Sequence, residues 1–300
     1  MFTVKTLNKI AAVGTDRLDK ALFTINDDSQ NPEAIIVRSA KMADYAFNPE
    51  LLCIARAGAG YNNIPVDKCA EQGIVVFNTP GANANGVKEL VICALLLASR
   101  KITEGIKWVK SIADKGDEVA ALVEKGKSNY VGPEIMGKTL GLIGLGAIGA
   151  KVAKAANALG MTVYGYDPFI SDALKAELEG YVKIVGTLDE LYAAADYISL
   201  HVPCNDATRN TICAESIARM KDGVRIVNIA RGELVNDDDI LAALESGKVA
   251  SYVTDFPDGK MAAADNVIAI PHLGASTPES EDNCAIMAAD QIAEYMLRGN

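Results

Sequence analysis

The chain has 300 residues, half of them hydrophobic, and a formal net charge of −10 at pH 7. That length exceeds the usual single-domain size, so two domains with separate cores are expected. The negative charge excludes nucleic acid and anionic membrane as main partners, since both require a basic face, but a local basic pocket would still suit a small anionic substrate.

No apolar run approaches the roughly 20 residues of a membrane span. Residues 1–10 lack the apolar core and cleavage site of a signal peptide, so a cytoplasmic protein is expected. Six cysteines are scattered with no C-x-x-C pair. Reduced core thiols are therefore expected, and no metal site.

The first αβ unit is expected over residues 1–95. Short strands at 34–37, 51–55 and 73–77 would deliver Arg38 and Ser39, then Arg56 to Asn63 with Gly58 and Gly60, then Asn78 to Asn83. In open α/β sheets ligands bind beyond the carboxyl ends of strands, so these loops should converge on one cleft. Two arginines beside freed backbone amides make that cleft an anion site. Residues 87–102 read as an apolar helix buried nearly all round, and 103–127 as its polar continuation, the crossover to a second domain. The apolar portion of this crossover is a candidate dimer surface.

From Gly137 the chain alternates strand and helix. Residues 140–149, Leu-Gly-Leu-Ile-Gly-Leu-Gly-Ala-Ile-Gly, read as a buried strand breaking into a G-x-G-x-x-G turn, with a helix over 147–159. Gly144 would allow the tight turn, Gly146 the approach of backbone N–H groups to a pyrophosphate, and Gly149 close packing of helix on strand. A second strand, 161–166, ends on Asp167, placed to accept from adenosine ribose hydroxyls and to repel a 2′-phosphate, so the expected cofactor is NAD. A methyltransferase loop gives similar glycine strings, but without the rest of the strand-end set.

Helices are then expected at 171–179, 188–195, 213–220 and 237–246. The strands between them fall at 182–185, 197–202, 224–230, 249–254 and 267–270, and a last helix at 279–297 returns to the first domain. Repeated βα units with short links mean an α/β fold with doubly wound parallel sheets. Arg231, Asp255 and His272 each end a strand. The arginine fork can hold a substrate carboxylate and polarise the neighbouring oxygen. The imidazole can take or return the hydroxyl proton as hydride moves. Asp255 is expected to orient the nicotinamide carboxamide or the cleft. The other histidine, His201, reads as structural or as cofactor wall.

These motifs resemble the D-isomer-specific 2-hydroxyacid dehydrogenases: Gly144-Leu-Gly-Ala-Ile-Gly149 with Asp167, Val227-Asn-Ile-Ala-Arg231-Gly-Glu-Leu-Val235, and Pro271-His-Leu-Gly-Ala-Ser-Thr277. Within the family, Val37-Arg-Ser-Ala40, Arg56-Ala-Gly-Ala-Gly60 and Asn78-Thr-Pro-Gly-Ala-Asn83 are most similar to the substrate loops of the phosphoglycerate dehydrogenases. The resemblance implies two Rossmann-like domains: a flavodoxin-like substrate domain over 1–95 and 278–300, and a dinucleotide-binding domain over 96–277. It also implies Arg231 as substrate anchor and His272 as acid/base. Ala147, Ile148, Asp167, Val202, Ala230, Asp255, Gly274 and Ala275 would line NAD, while Arg38, Ser39, Arg56, Gly58 and Asn83 would face the substrate. A small anionic 2-hydroxy acid and a homodimer or homotetramer follow as expected partners.

The implied reaction is oxidation of 3-phospho-D-glycerate; the alternatives are a glyoxylate or hydroxypyruvate reductase and an NAD-sensing corepressor on the same fold. The family places a glutamate after the strand ending at Asp255, where it pairs with the histidine. Here the stretch is Asp255-Phe-Pro-Asp-Gly-Lys260, several residues shorter and without that glutamate. Either Asp258 substitutes for it or His272 works without a carboxylate partner.

Overall fold

In the computed structural model, which describes residues 1–299, every strand pairing is parallel. A parallel strand is covered on both faces, which is why Ala34–Val37 and Tyr197–Leu200, buried at every residue, are continuous apolar runs. The chain divides into two compact units, Met1–Gly86 with the segment from Ala275 onward, and Val87–Gly274. The first crossing lies nearer the N-terminus than the expected 95/96, because the buried side chains of the crossover helix, Val87, Val91, Ala94 and Leu95, already belong to the second unit. The return lies three residues before the expected 277/278.

The first unit contains β1 (Phe2–Leu7), α1 (Ala12–Thr15), β2 (Phe23–Ile25), β3 (Ala34–Val37), β4 (Cys53–Arg56), α2 (Val66–Glu71) and β5 (Val75–Phe77). Its sheet order is β2-β1-β3-β4-β5, the flavodoxin-like arrangement. Val37 of β3 pairs with Arg56 of β4, so Arg38 and Arg56 leave adjacent strands at the same end of the sheet.

Helix α3 (Ala84–Ser99) carries the chain into the second unit. It is not buried all round: Cys93 is exposed and Leu96 is 41% accessible. The expected continuous helix over 103–127 is instead α4 (Ile102–Ser111) and α5 (Val119–Gly126), each followed or preceded by a 3-10 turn. The break is at Gly116, whose φ of 54° has no place in a right-handed helix. Trp108 and Tyr130 stack with ring centroids 5.2 Å apart and close this excursion on itself.

The remaining elements of the second unit are β6 (Thr139–Ile143), α6 (Ala147–Ala158), β7 (Thr162–Tyr166), α7 (Asp172–Glu177), β8 (Lys183–Ile184), α8 (Leu188–Ala194) and β9 (Tyr197–Leu200). They continue with α9 (Ala214–Ala218), β10 (Val224–Asn228), α10 (Asp237–Glu245), β11 (Val249–Thr254), α11 (Gly259–Ala263) and β12 (Val267–Ala269). The sheet order β12-β11-β10-β9-β6-β7-β8 reverses between β6 and β9, the switch point at which doubly wound sheets take ligands.

Helix α12 (Pro278–Arg298) belongs to the first unit, burying Cys284, Ala285, Ala288, Ala289 and Ile292 at helical spacing. Four of these join Val4, Ala34, Ile36, Cys53 and Ala55 in one apolar cluster. Thr277 caps the helix by accepting from Ser280 N, and Arg17 grips Asp290 through both carboxylate oxygens at 2.6 and 2.9 Å. Among the described residues, no helix is long and apolar enough to cross a membrane.

Candidate active site

The glycine turn between β6 and α6 is fixed by two close approaches and one opening. Gly144 has φ 95°, and a Cβ there would lie 2.7 Å from the His201 carbonyl oxygen. A Cβ on Gly149 would overlap the Gly144 carbonyl oxygen, so the helix packs against the turn only through glycine. Gly146 is different: a Cβ there would meet nothing within 4 Å, and no side chain caps the helix it begins. The first N–H groups of the helix, at Ala147 and Ile148, thus have no side-chain cap and begin beside the open space at Gly146, which fits a dinucleotide pyrophosphate.

Asp167, half-buried after β7, accepts from Leu145 N through Oδ2 at 2.9 Å and from Phe169 N through Oδ1 at 2.9 Å. The carboxylate thus fastens the glycine turn to the second strand, and each oxygen keeps a lone pair for a hydroxyl donor. His201 lies beneath the same turn. Its Nε2 is 3.0 Å from Ser199 Oγ, and burial pushes its pKa down to about 4, so the ring is neutral at physiological pH.

Arg231 follows β10 in a turn that Asn228 holds. The fully buried Asn228 accepts from Ala230 N and Arg231 N through Oδ1 at 3.1 and 3.3 Å, and its Nδ2 donates to Arg231 O at 2.8 Å. The Arg231 guanidinium donates to Ala230 O at 2.6 Å. Sequence reading missed Asn228, although a buried amide ending an otherwise apolar strand is a visible signal.

Asp255 and His272 form one construction. Asp255 is buried, and its carboxylate accepts from Leu273 N at 2.7 Å and Gly274 N at 2.8 Å, while its backbone oxygen accepts from His272 N at 3.1 Å. Burial raises the Asp255 carboxyl, against the opposing pull of those N–H groups and of the His272 charge. His272 sits exposed at φ 54°, a left-handed conformation that costs a non-glycine residue about 1 kcal/mol or more and is held here by the loop bonds. Its ring lies 4.8 Å from that of Phe256, whose Cβ in turn stands 3.3 Å from where a Cβ on Gly232 would be. Phe256 thus touches both the imidazole and the residue after Arg231.

Asp258 is engaged within its own loop. It is the N-cap of α11, its Oδ1 accepting from Met261 N at 2.8 Å. Its charge is felt by Asp237 and Lys260. The short loop spends this carboxylate on its own helix.

In the first unit, the side chain of Asn8 accepts from three successive N–H groups, those of Arg38, Ser39 and Ala40, at 3.2, 3.0 and 2.9 Å. Asn63 Nδ2 donates to Ala40 O at 2.8 Å from the other side. The Arg56 guanidinium folds over the α-carbon of Gly58, where a Cβ would collide with it. The Asn83 side-chain oxygen is buried with no donor among the described residues, an acceptor suited to a ligand hydroxyl. Arg38 Nη1 is 2.8 Å from Glu281 Oε1 on α12.

A family model described as the NAD binding domain of the D-isomer specific 2-hydroxyacid dehydrogenases matches residues 92–274. The chain is 41% identical to a hydroxypyruvate reductase of Thermotoga maritima, over 87% of this chain and 83% of that protein. It is 40% identical to a D-3-phosphoglycerate dehydrogenase of Methanocaldococcus jannaschii over 83% of its own length but 46% of that protein's, so it spans about half of this relative. Among solved structures, the NAD+-bound 3-phosphoglycerate dehydrogenase of Entamoeba histolytica aligns with a TM-score of 0.79 and 27% identity, covering 100% of this chain and 96% of that one.

The half-buried, neutral His201 has a measurable signature. Its folded pKa of about 4 lies below the ordinary imidazole value of 6.5, so the unfolded chain binds a proton first. Stability is therefore intact above pH 6.5 and falls towards pH 4, by about 3 kcal/mol at 1.4 kcal/mol per pKa unit. Denaturant midpoints measured from pH 7 to 4 should show this acid loss in the wild type, and a His201→Gln variant should lose less over the same window. Parallel curves for the two proteins would refute the account.

Proposed function

The chain belongs to the D-isomer specific 2-hydroxyacid dehydrogenases and has their NAD-binding domain, and on that premise we propose that it oxidises 3-phospho-D-glycerate to 3-phosphohydroxypyruvate, the first step of serine synthesis. The observation that carries the choice of substrate is the pair of arginines, Arg38 and Arg56, leaving adjacent strands on loops whose backbone amides are clamped. Two guanidinium groups suit a phosphate dianion better than an uncharged hydroxymethyl group.

When bound, NAD+ accepts the hydride from C2 of the substrate. The open helix N-terminus at Gly146, Ala147 and Ile148 would hold its pyrophosphate, Asp167 its ribose hydroxyls, and Val202, Ala230, Gly274 and Ala275 its walls. Arg231 would turn from Ala230 O to the substrate carboxylate and the C2 oxygen, favouring the carbonyl as it forms. His272 would take the O2–H proton as the C2–H bond breaks, so the substrate loses one hydride and one proton. Asp255 acts here on the His272 loop, to which it gives both carboxylate oxygens, and so holds the imidazole indirectly. Ser39 and Gly58 would line the substrate loops, and Asn83 would offer its side-chain oxygen to the substrate. The shells around Arg231 and His272 favour chemistry over a purely sensing, corepressor-like role, which needs neither group held so closely.

A second reading, reduction of glyoxylate or hydroxypyruvate, is supported by the Glu281 carboxylate on Arg38, which removes part of the positive charge at the anion site. Comparing kcat/KM for 3-phosphoglycerate and for glycerate separates the two. A lost charge-assisted contact is worth about 1.5–3 kcal/mol, so the phosphorylated acid should win by at least about ten-fold. Equal efficiency would overturn the proposed substrate.

Asp258 as a helix cap leads to a further outcome. Asparagine caps as well as aspartate, so Asp258→Asn should change stability by less than about 0.5 kcal/mol and leave the pH profile of kcat where it was. A displaced profile would make Asp258 the partner of His272 after all.

A second copy of the chain is the proposed cover for Leu96 of α3 and Ile102, Ile106 and Val109 of α4, all more than 40% accessible. No residue of α4 or α5 is buried, so this segment has no core of its own. Sedimentation at micromolar concentration should give a dimer or larger; a monomer removes the proposal.

A further inference from the structure

Both ends of the Arg38–Glu281 ion pair are anchored. Asn8 and Asn63 fix the backbone of Arg38, as described, and Glu281 stands in the first turn of α12, whose start is set by the Thr277 cap and by Pro278. Glu281 is one helical turn before Cys284, which is buried in the cluster with β1, β3 and β4, so it shares that face and reaches Arg38 just past the end of β3. The buried Cys284 thiol feels the charges of Arg56, Arg38 and Glu281 together, which locates all three around one spot of the first unit. Burial raises that thiol, which stays neutral.

We propose that Glu281 is a specificity-determining residue, which sets the preference for phosphorylated over unphosphorylated 2-hydroxy acids by holding the Arg38 guanidinium that a phosphate would otherwise take. This rests on the reading of Arg38 and Arg56 as the anion site. The pair is a poor lock: its side chains are 36% and 44% accessible, and solvent screens a contact of that kind. A phosphate dianion, with more charge and three acceptor oxygens, can displace Glu281 from Arg38 but then meets a carboxylate of like sign. An uncharged hydroxymethyl group meets no such repulsion. The carboxylate thus penalises the phosphorylated acid selectively.

The variant E281Q keeps an acceptor for Arg38 and removes the charge. Its ratio of kcat/KM for 3-phosphoglycerate over glycerate should rise by about five-fold, the size of a half-exposed ion pair, mainly through KM for the phosphorylated acid. In the double variant with Arg38→Gln the rise should vanish, since the two residues act through one contact. An E281Q ratio within two-fold of the wild type, or a rise that persists without Arg38, overturns the inference. Wild-type turnover of glycerate alone would overturn the proposed substrate while leaving this test intact: phosphorylated acid turned over by E281Q would then support the role of Glu281, and its continued rejection would defeat it. Thermal-shift titration of the cofactor-free proteins with inorganic phosphate gives a readout without turnover, with larger stabilisation expected for E281Q and equal stabilisation counting against the role.

Discussion

The geometry of the second unit depends on one buried carboxylate. Asp255, at the end of β11, accepts the N–H groups of Leu273 and Gly274 and so determines the path of the chain after β12. Without those bonds nothing in the sequence would hold His272 in a left-handed conformation, which an imidazole side chain does not favour by itself. Burying the carboxylate is costly, and its upward shift records that cost, but two side-chain acceptor bonds and the nearby imidazole offset it. A carboxylate that structures a loop also delivers its charge beside the histidine.

Similar construction recurs at the other strand ends. Asn228 holds the Arg231 turn and Asn8 the Arg38 loop, each through a side-chain carbonyl that accepts successive backbone N–H groups. An amide suits this work because it offers an acceptor without the desolvation cost of a charge. The consequence is that the guanidinium groups of Arg231 and Arg38 project from rigid bases although their own side chains are long. Their mobility is confined to the side-chain torsions, where Ala230 O and Glu281 provide temporary partners.

The parts of this arrangement that follow an alternating or glycine-marked pattern are readable from the chain itself. The β6 strand, the glycine turn and Asp167 are contiguous in sequence, and a buried parallel strand announces itself by its apolar run. Strand β1 does not, since only Val4 of its six residues is buried and Lys5 interrupts it. Gly116 breaks the crossover helix by a backbone conformation that the good helix formers around it, Ala113, Lys115 and Glu118, conceal. The clamps formed by Asn8 and Asn63 span more than 20 residues, so no local pattern marks them. Asp258 illustrates competition between local and distant partners: its bond to an N–H three residues on closes a short turn and costs far less chain entropy than reaching another loop.

That competition bears on how the imidazole is tuned. A longer loop after Asp255 would have room for a carboxylate that faces the histidine without serving the backbone. Here the segment after Asp255 is spent on Phe256, a proline and a five-residue helix that needs its own cap. The aromatic ring of Phe256 packs on His272 from one side, and the Asp255 carboxylate beneath its loop is committed to two N–H groups. A carboxylate so committed attracts a proton on the imidazole only through its residual field, whereas a free glutamate would offer a direct acceptor to the ring N–H. The short segment after Asp255 therefore supports the ring mechanically, through Phe256 and the loop that Asp255 holds.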